Sequence, residues 1–502
     1  MSNGETPISN PTYMGDIRHF FRDIDIDHMR DPDNGAVDLA TYVGVKANAL
    51  RLYFKVKDGE MPPGQRWSPA RVETFYNWMK HDYPRGDGEP VALAAAPSEA
   101  RRIRKNIKDV DIEKLKTAFR GLMNRRPEDP QSYYALAGQH WLPGGGKSVY
   151  YCRHHENAYN PWHRAYLLAF ENALRSVEGC EDVTLPYWDI TAAEIPAFLW
   201  EDPFDKYEIP VRLCPLAGDC YPPQGATANY VTDRYPAETI LKNLADFGVA
   251  EIIGKALGQS RWELFNGWDN GNTGEGIITA HDAGHVASGV TMRNQDVTAF
   301  DPIFWFFHCN WDRLWWKWQQ AYGATTLNKF KSHLAGAPDW LDDPVLNGLP
   351  PFTLTAPETI DSLSLGVDYE HPRDEPAVTV LPLRLGAFPA SRAFALPGRP
   401  KVSFRVKEID RLEIPGSFTV ALRVGDRVIG KRAFFQPTTP KLCATCRANA
   451  LANFDFLVDQ ADLEGGPVEV EIRLLTRDGG EVPFPFGRAG NPTVNARLLL
   501  ER

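Results

Sequence analysis

The chain has 502 residues, a formal net charge of −10 and a hydrophobic fraction of 43%. At about 150 residues per domain, that length predicts two or three domains, or one large domain with a smaller companion. The acidic balance excludes a nucleic-acid partner, which needs a basic face, and no run of about 18 apolar residues is present to span a membrane.

The opening stretch MSNGETPISNPTYMGD lacks the basic and apolar regions of a Sec-type signal peptide. Seven cysteines, a sparse and odd number, suit a reducing compartment. A cytoplasmic protein is expected, and no pattern specifies an oligomeric state.

In chain order, residues 1–100 are mixed. The turn-rich DGEMPPGQRW precedes SPARVETFYNWMKHDYP, which predicts a helix, and VALAAAPSEA reads as a linker. This stretch is expected to be an N-terminal elaboration of the domain that follows. Residues 101–370 form that domain. Twelve of the fourteen tryptophans lie between Trp141 and Trp340, and helical patterns dominate. Beyond residue 370 tryptophan disappears. KVSFRVKEI, SFTVALRVGDRVIG, PVEVEIRLLT and TVNARLLLE alternate apolar and polar residues, separated by the turn signals VGDR, EGG and RDGG. Such spacing predicts an all-β sandwich over residues 371–502, with the boundary inside 355–375. The expected fold is a mainly α central domain followed by this sandwich.

The histidines carry the chemistry. His281 and His285 in TAHDAGHVA stand at i, i+4, which on a helix places both rings on one face. HDAGH resembles the zinc motif HExxH, but Asp282 replaces the glutamate that acts there as general base. His308 follows 23 residues after His285, inside DPIFWFFHCNWDRLWWKW. Asp301-Pro302 is a helix start, with Asp as cap and Pro at the first position. A second set repeats the pattern. Asn160-Pro161 predicts the start of a helix bearing His163, His154 lies nine residues earlier, and His140 precedes a run of three glycines. Two such sets imply two metals held within a four-helix bundle. All-nitrogen ligation suits copper, zinc or nickel, and the absence of a bridging carboxylate favours copper.

In combination, GxHxxP at Gly138–Pro143, CxH before WHRxYL at Cys152–Leu167, LPYWD at Leu185–Asp189, HxxxH at His281–His285 and DPIFWFFHCNWDRLW at Asp301–Trp315 resemble the type 3 copper family of tyrosinases, catechol oxidases and haemocyanins. IRKNIKDVDIEKLK, from Ile103, resembles that family's entry helix. The resemblance implies one copper held by His140, His154 and His163 and another held by His281, His285 and His308, with O2 as co-substrate. It leaves out His155 and places Cys152 where fungal-type members form a thioether to the neighbouring histidine. Phe304 is the family residue that packs over the site. Asn310, Asp312 and Arg313 are expected to orient the helix through hydrogen bonds and an ion pair. Val286 and the loop 287–294 are expected to line the pocket mouth. Asp282, with Glu275 or without it, is expected to hold a water that handles the phenol proton.

The β domain adds a further resemblance. Fungal pro-tyrosinases carry a C-terminal β domain with a CxxC linked to copper loading, matched here by Cys443 and Cys446, and insert an aromatic placeholder into the site. AFFQP offers Phe434 or Phe435, and Phe434 is the expected one. Either ring could instead be sandwich core. The resemblance thus implies a latent tyrosinase that converts monophenols and o-diphenols to o-quinones. A catechol or o-aminophenol oxidase and a haemocyanin-like oxygen carrier are the alternatives.

Overall fold

The computed structural model describes residues 6–30, 37, 39, 42–59, 61–62, 66–81, 83–84, 102–127, 129–140, 151–209, 229–269, 272–273, 276–343, 346–370, 401–476 and 479–499. The expected linker at 91–100, the glycine run after His140, Glu275 and the stretch 371–400 lie outside the described residues.

Four helices carry the central domain. α1 (Ile112–Met123) starts at Asp111, whose carboxylate accepts the Lys114 N–H and satisfies one orphan donor. Its buried stripe of Leu115, Ala118, Phe119 and Leu122 follows helical spacing. α2 (Tyr159–Arg175), α3 (Ile277–Ser288) and α4 (Ile303–Tyr322) are far more enclosed, and every residue of α3 is buried. Aromatic faces join them. Phe170 of α2 stacks on Trp305 of α4 with centroids 3.5 Å apart, and Phe119 of α1 meets Phe170 edge-on at 5.4 Å. Gly284 lets α3 approach α4, because a Cβ there would lie 2.8 Å from the Phe307 ring and 2.9 Å from Ile190.

The helix starts differ slightly from the sequence expectation. α2 begins at Tyr159, so Asn160 and Pro161 lie inside its first turn. Pro161 is tolerated because first-turn N–H groups have no intrahelical partner. The Asn160 amide turns to Asn266 (3.4 Å) rather than capping. Asp301 accepts the Ile303 N–H (3.2 Å) at the head of α4, with Pro302 at the cap position.

A buried ionic cluster ties the domain's ends to the bundle. Arg102–Arg104 pairs in parallel with Val367–Tyr369. Arg104 reaches Glu171 and Asp312, both at 3.1 Å, and Arg164 reaches Asp312 at 2.7 Å. The Tyr369 hydroxyl donates to Asp312 (2.6 Å). Removing one member of such a cluster strands a buried charge, a loss of roughly 3–5 kcal/mol. Arg313 sits 3.4 Å from Asp189 of the LPYWD motif and over the Tyr187 ring. Asn310 departs from expectation, since neither of its buried amide atoms has a hydrogen-bond partner among the described residues.

The C-terminal strands are β1 (Lys401–Asp410), β2 (Phe418–Val424), β3 (Arg427–Phe434), β4 (Leu451–Asp459), β5 (Val468–Leu475), β6 (Glu481–Pro483) and β7 (Thr493–Leu499). One sheet runs β6-β5-β2-β3 and the other β7-β1-β4. Their facing residues, among them Val406, Phe418, Val420, Phe434, Phe454 and Ile472, form a core separate from the helical one. The second sheet continues into the central domain. Thr273 of the short hairpin Trp268–Asp269/Asn272–Thr273 pairs in parallel with Phe454 of β4. Nothing in the alternating pattern announced that shared edge. The N-terminal helices, including Pro69–Lys80 capped by Ser68, gather around Trp67, Phe75, Trp78 and Met79 in a third core.

Candidate metal centre

His163 lies on α2, His281 and His285 on α3, and His308 on α4. His140 follows the short helix Tyr133–Gly138, and His154 lies on the segment that leads into α2. They meet as two triads, His140–His154–His163 and His281–His285–His308, and within each triad the ligand atoms lie within 4.8 Å of one another. The triads face each other. The His163 and His308 rings stack at 4.4 Å, and His154 and His281 are 5.1 Å apart.

Hydrogen bonds on one ring nitrogen aim the other into the site. His163 Nδ1 donates to the Tyr159 carbonyl (2.8 Å) and His285 Nδ1 to the Met292 carbonyl (2.8 Å). His281 Nδ1 donates to Asp282 Oδ1 (3.1 Å). That leaves Nε2 of His154, His163 and His281, Nδ1 of His308 and both nitrogens of His140 buried without a partner among the described residues. The Nε2 atoms of His285 and His308 converge to 3.2 Å. Burial pushes all six imidazoles toward the neutral form, His163 down to about 3 and the other five well below the usual range. Neutral, orphaned lone pairs pointed at two common centres are what metal ligation requires, so the residues fit two metal ions. Neither triad contains a carboxylate, a donor set suited to copper.

The surroundings are aromatic and buried. The Phe304 ring lies 4.1 Å from His308 and 5.0 Å edge-on from His140. Val286 is buried beside His285. Cys152 Sγ lies 3.4 Å from His154 Nδ1 and accepts from Gln295 (3.2 Å), and burial raises its thiol to about 12.

Asp282 is the hub of a network that sequence reasoning only partly found. Its Oδ2 accepts from His155 Nε2 (2.8 Å) and from the Phe435 backbone N–H (3.1 Å). Arg411, from the β domain, donates to His155 Nδ1 (3.2 Å). The left-handed backbone at His155 (φ 57°) separates its course from that of its neighbour His154. The HH doublet was the only signal for His155, and nothing local pointed to Arg411.

The ring over the centre is Phe435, not Phe434 as the sequence suggested. Phe435 stacks on His285 with centroids 4.0 Å apart and planes 6° from parallel. Phe434 is the last residue of β3 and faces the sandwich core, stacked on Phe418, with its ring also 4.3 Å from His155. Successive side chains of an extended chain point to opposite faces, so the next residue is the one that enters the site. Cys443 and Cys446 are joined as a disulfide at the start of the short helix Ala444–Ala448.

A sequence profile of the common central domain of tyrosinase matches residues 130–321. Those residues carry the common central domain of tyrosinase. The chain is similar to the tyrosinase of Aspergillus oryzae, 24% identical over an alignment of 518 positions, gaps included, that covers 76% of this chain and 94% of that one. It is also similar to hemocyanin 1 of Megathura crenulata, 27% identical over 48% of this chain and 7% of that much longer one. In structure it resembles the tyrosinase of Burkholderia thailandensis, with a TM-score of 0.55 and 21% identity over 79% of this chain and 100% of that one, a likeness of fold. The chain's two histidine triads fit the two copper ions that the tyrosinase family uses with O2 as co-substrate, and the tyrosinase relatives support a copper oxidoreductase. The family acts on small phenolic substrates.

Proposed function

We propose that this protein is a tyrosinase that hydroxylates monophenols at the ortho position and oxidises o-diphenols to o-quinones, and that its β domain holds it latent. The observation that carries this reading is the Phe435 ring stacked on His285, in the place a phenol ring would take. The six histidines would hold two coppers, which when bound would supply the oxygen-binding and redox chemistry. The chain's own residues do the rest. The His285 face orients the substrate ring. Asp282 anchors a water that takes the phenol proton and, through His281 Nδ1, fixes a ligand tautomer. Phe304 and its neighbours exclude bulk water. Copper delivery through Cys443 and Cys446 requires their reduction, because thiolate is the ligand form.

The test is initial rates on tyrosine and DOPA for the copper-loaded full-length chain, before and after limited proteolysis between the domains. Both rates should rise at unchanged copper content. Unchanged rates would remove latency, and DOPA oxidation without tyrosine hydroxylation would leave a catechol or o-aminophenol oxidase. Similarity to a haemocyanin favours oxygen carriage as a second reading. Reversible oxygenation with no phenol oxidation, in the opened protein as well, would establish it.

A further inference from the structure

Two consecutive rings of the β domain are seated on two different imidazoles of the central domain. Phe435 lies on the metal ligand His285 and Phe434 on the non-ligand His155, with planes 15° from parallel and centroids 4.3 Å apart. Between them, the Phe435 N–H donates to Asp282. His155 is itself a built platform. It is 1% exposed, its ring lies 5.1 Å from Trp268, and its Nε2–H is fixed on Asp282. Of the groups on His155, Phe434 and Arg411 belong to the β domain, whereas Trp268 and Asp282 stay when that domain leaves. The opened pocket therefore keeps an aromatic shelf, a carboxylate and the metal-site ring in the order that fits an aromatic-aromatic dipeptide.

We infer that His155 and Trp268 form a second aromatic subsite of the phenol pocket, and that the protein takes peptidyl tyrosine preceded by an aromatic residue. The tyrosyl ring lies on His285, its backbone N–H donates to Asp282 Oδ2, and the preceding ring lies on His155. Free tyrosine has no residue for that shelf and offers a charged ammonium instead of the amide N–H. The inference rests on the copper phenol-oxidase reading but not on monophenol hydroxylation.

The experiment measures competitive inhibition of catechol oxidation by two peptides that cannot be oxidised, N-acetyl-Phe-Phe-amide and N-acetyl-Ala-Phe-amide. It uses the copper-loaded full-length chain opened by limited proteolysis. The Phe-Phe peptide should have a Ki about tenfold lower than the Ala-Phe peptide, the size of effect one aromatic stack supplies. His155→Asn tolerates the left-handed backbone and keeps a donor for Asp282 while losing the ring, and there the ratio should fall to about one. Trp268→Ala should lower the ratio as well, and His155→Phe should keep it. Because the ratio is taken within each variant, changes in basal activity or folded fraction cancel. Equal Ki values in the unsubstituted protein, no inhibition by either peptide, or a ratio that survives His155→Asn would overturn the subsite. Absence of catechol oxidation by the opened protein would instead remove the oxidase reading, and the inference with it.

Discussion

Asp282 accepts from three directions: a metal ligand, a histidine that ligates nothing, and the backbone of another domain. An ionised carboxylate suits that load, since it only accepts. Asp282→Asn keeps the shape but sets an amide NH2 against at least one of the three donors. Tyrosine hydroxylation should fall about 100-fold, the range of one proton-handling group, while DOPA oxidation falls much less; equal losses in initial rates would contradict the role. Phe435→Ala removes the ring over His285 from the full-length chain and should raise catechol oxidation about tenfold or more at unchanged copper content. At this scale the ligands were legible, because six histidines at helical and motif spacings leave few other uses. The seat of Phe434 was not. Which of two adjacent phenylalanines enters the site depends on where β3 stops, and its last paired residue is set by Phe418 across the sheet.

Elements turn ligand spacing into ligand geometry. The i, i+4 spacing puts His281 and His285 on one face of α3, and the close approach of α3 to α4 brings His308 to them. Gly284 is the residue that permits the approach, with Phe307 and Ile190 below 3 Å from any Cβ placed there. Gly284→Ala should push the helices apart and weaken copper retention. In dialysis against a chelator the variant should lose copper at concentrations the parent withstands, and equal retention would show that the contact is not limiting. The Asp-Pro and Asn-Pro starts located α4 and α2 to within a residue or two in the sequence. The exact first turn was not legible, because Tyr159 supplies the carbonyl for His163 and that role is fixed by the site. HDAGH exposed the ligand pair but not the need for its glycine, which depends on a neighbour two dozen residues away.

Across the whole molecule, the β domain is fastened by more than its phenylalanine. Arg293 donates to the Thr476 and Gly480 carbonyls, the Tyr235 hydroxyl to the Gly479 carbonyl, and Thr438 to Asp296. The hairpin at 268–273 extends the β domain's own sheet. Arg293→Ala deletes two of these bonds between the domains, while each carbonyl keeps the backbone N–H it already accepts. It should speed proteolysis between the domains and raise catechol oxidation by full-length protein a few-fold; an unchanged cleavage rate would show that the remaining contacts suffice. The sandwich was visible in the sequence as a change of texture after residue 370. The docking was not visible, since each of these contacts joins residues more than 100 positions apart and has no local signature. All of this presupposes a dinuclear centre, and metal analysis of the purified, copper-supplemented full-length chain tests that most directly. The account predicts two coppers per chain, falling to about one in His163→Ala and in His285→Ala as each triad loses a ligand. A chain that binds no copper, or variants that retain the parent's content, would contradict it.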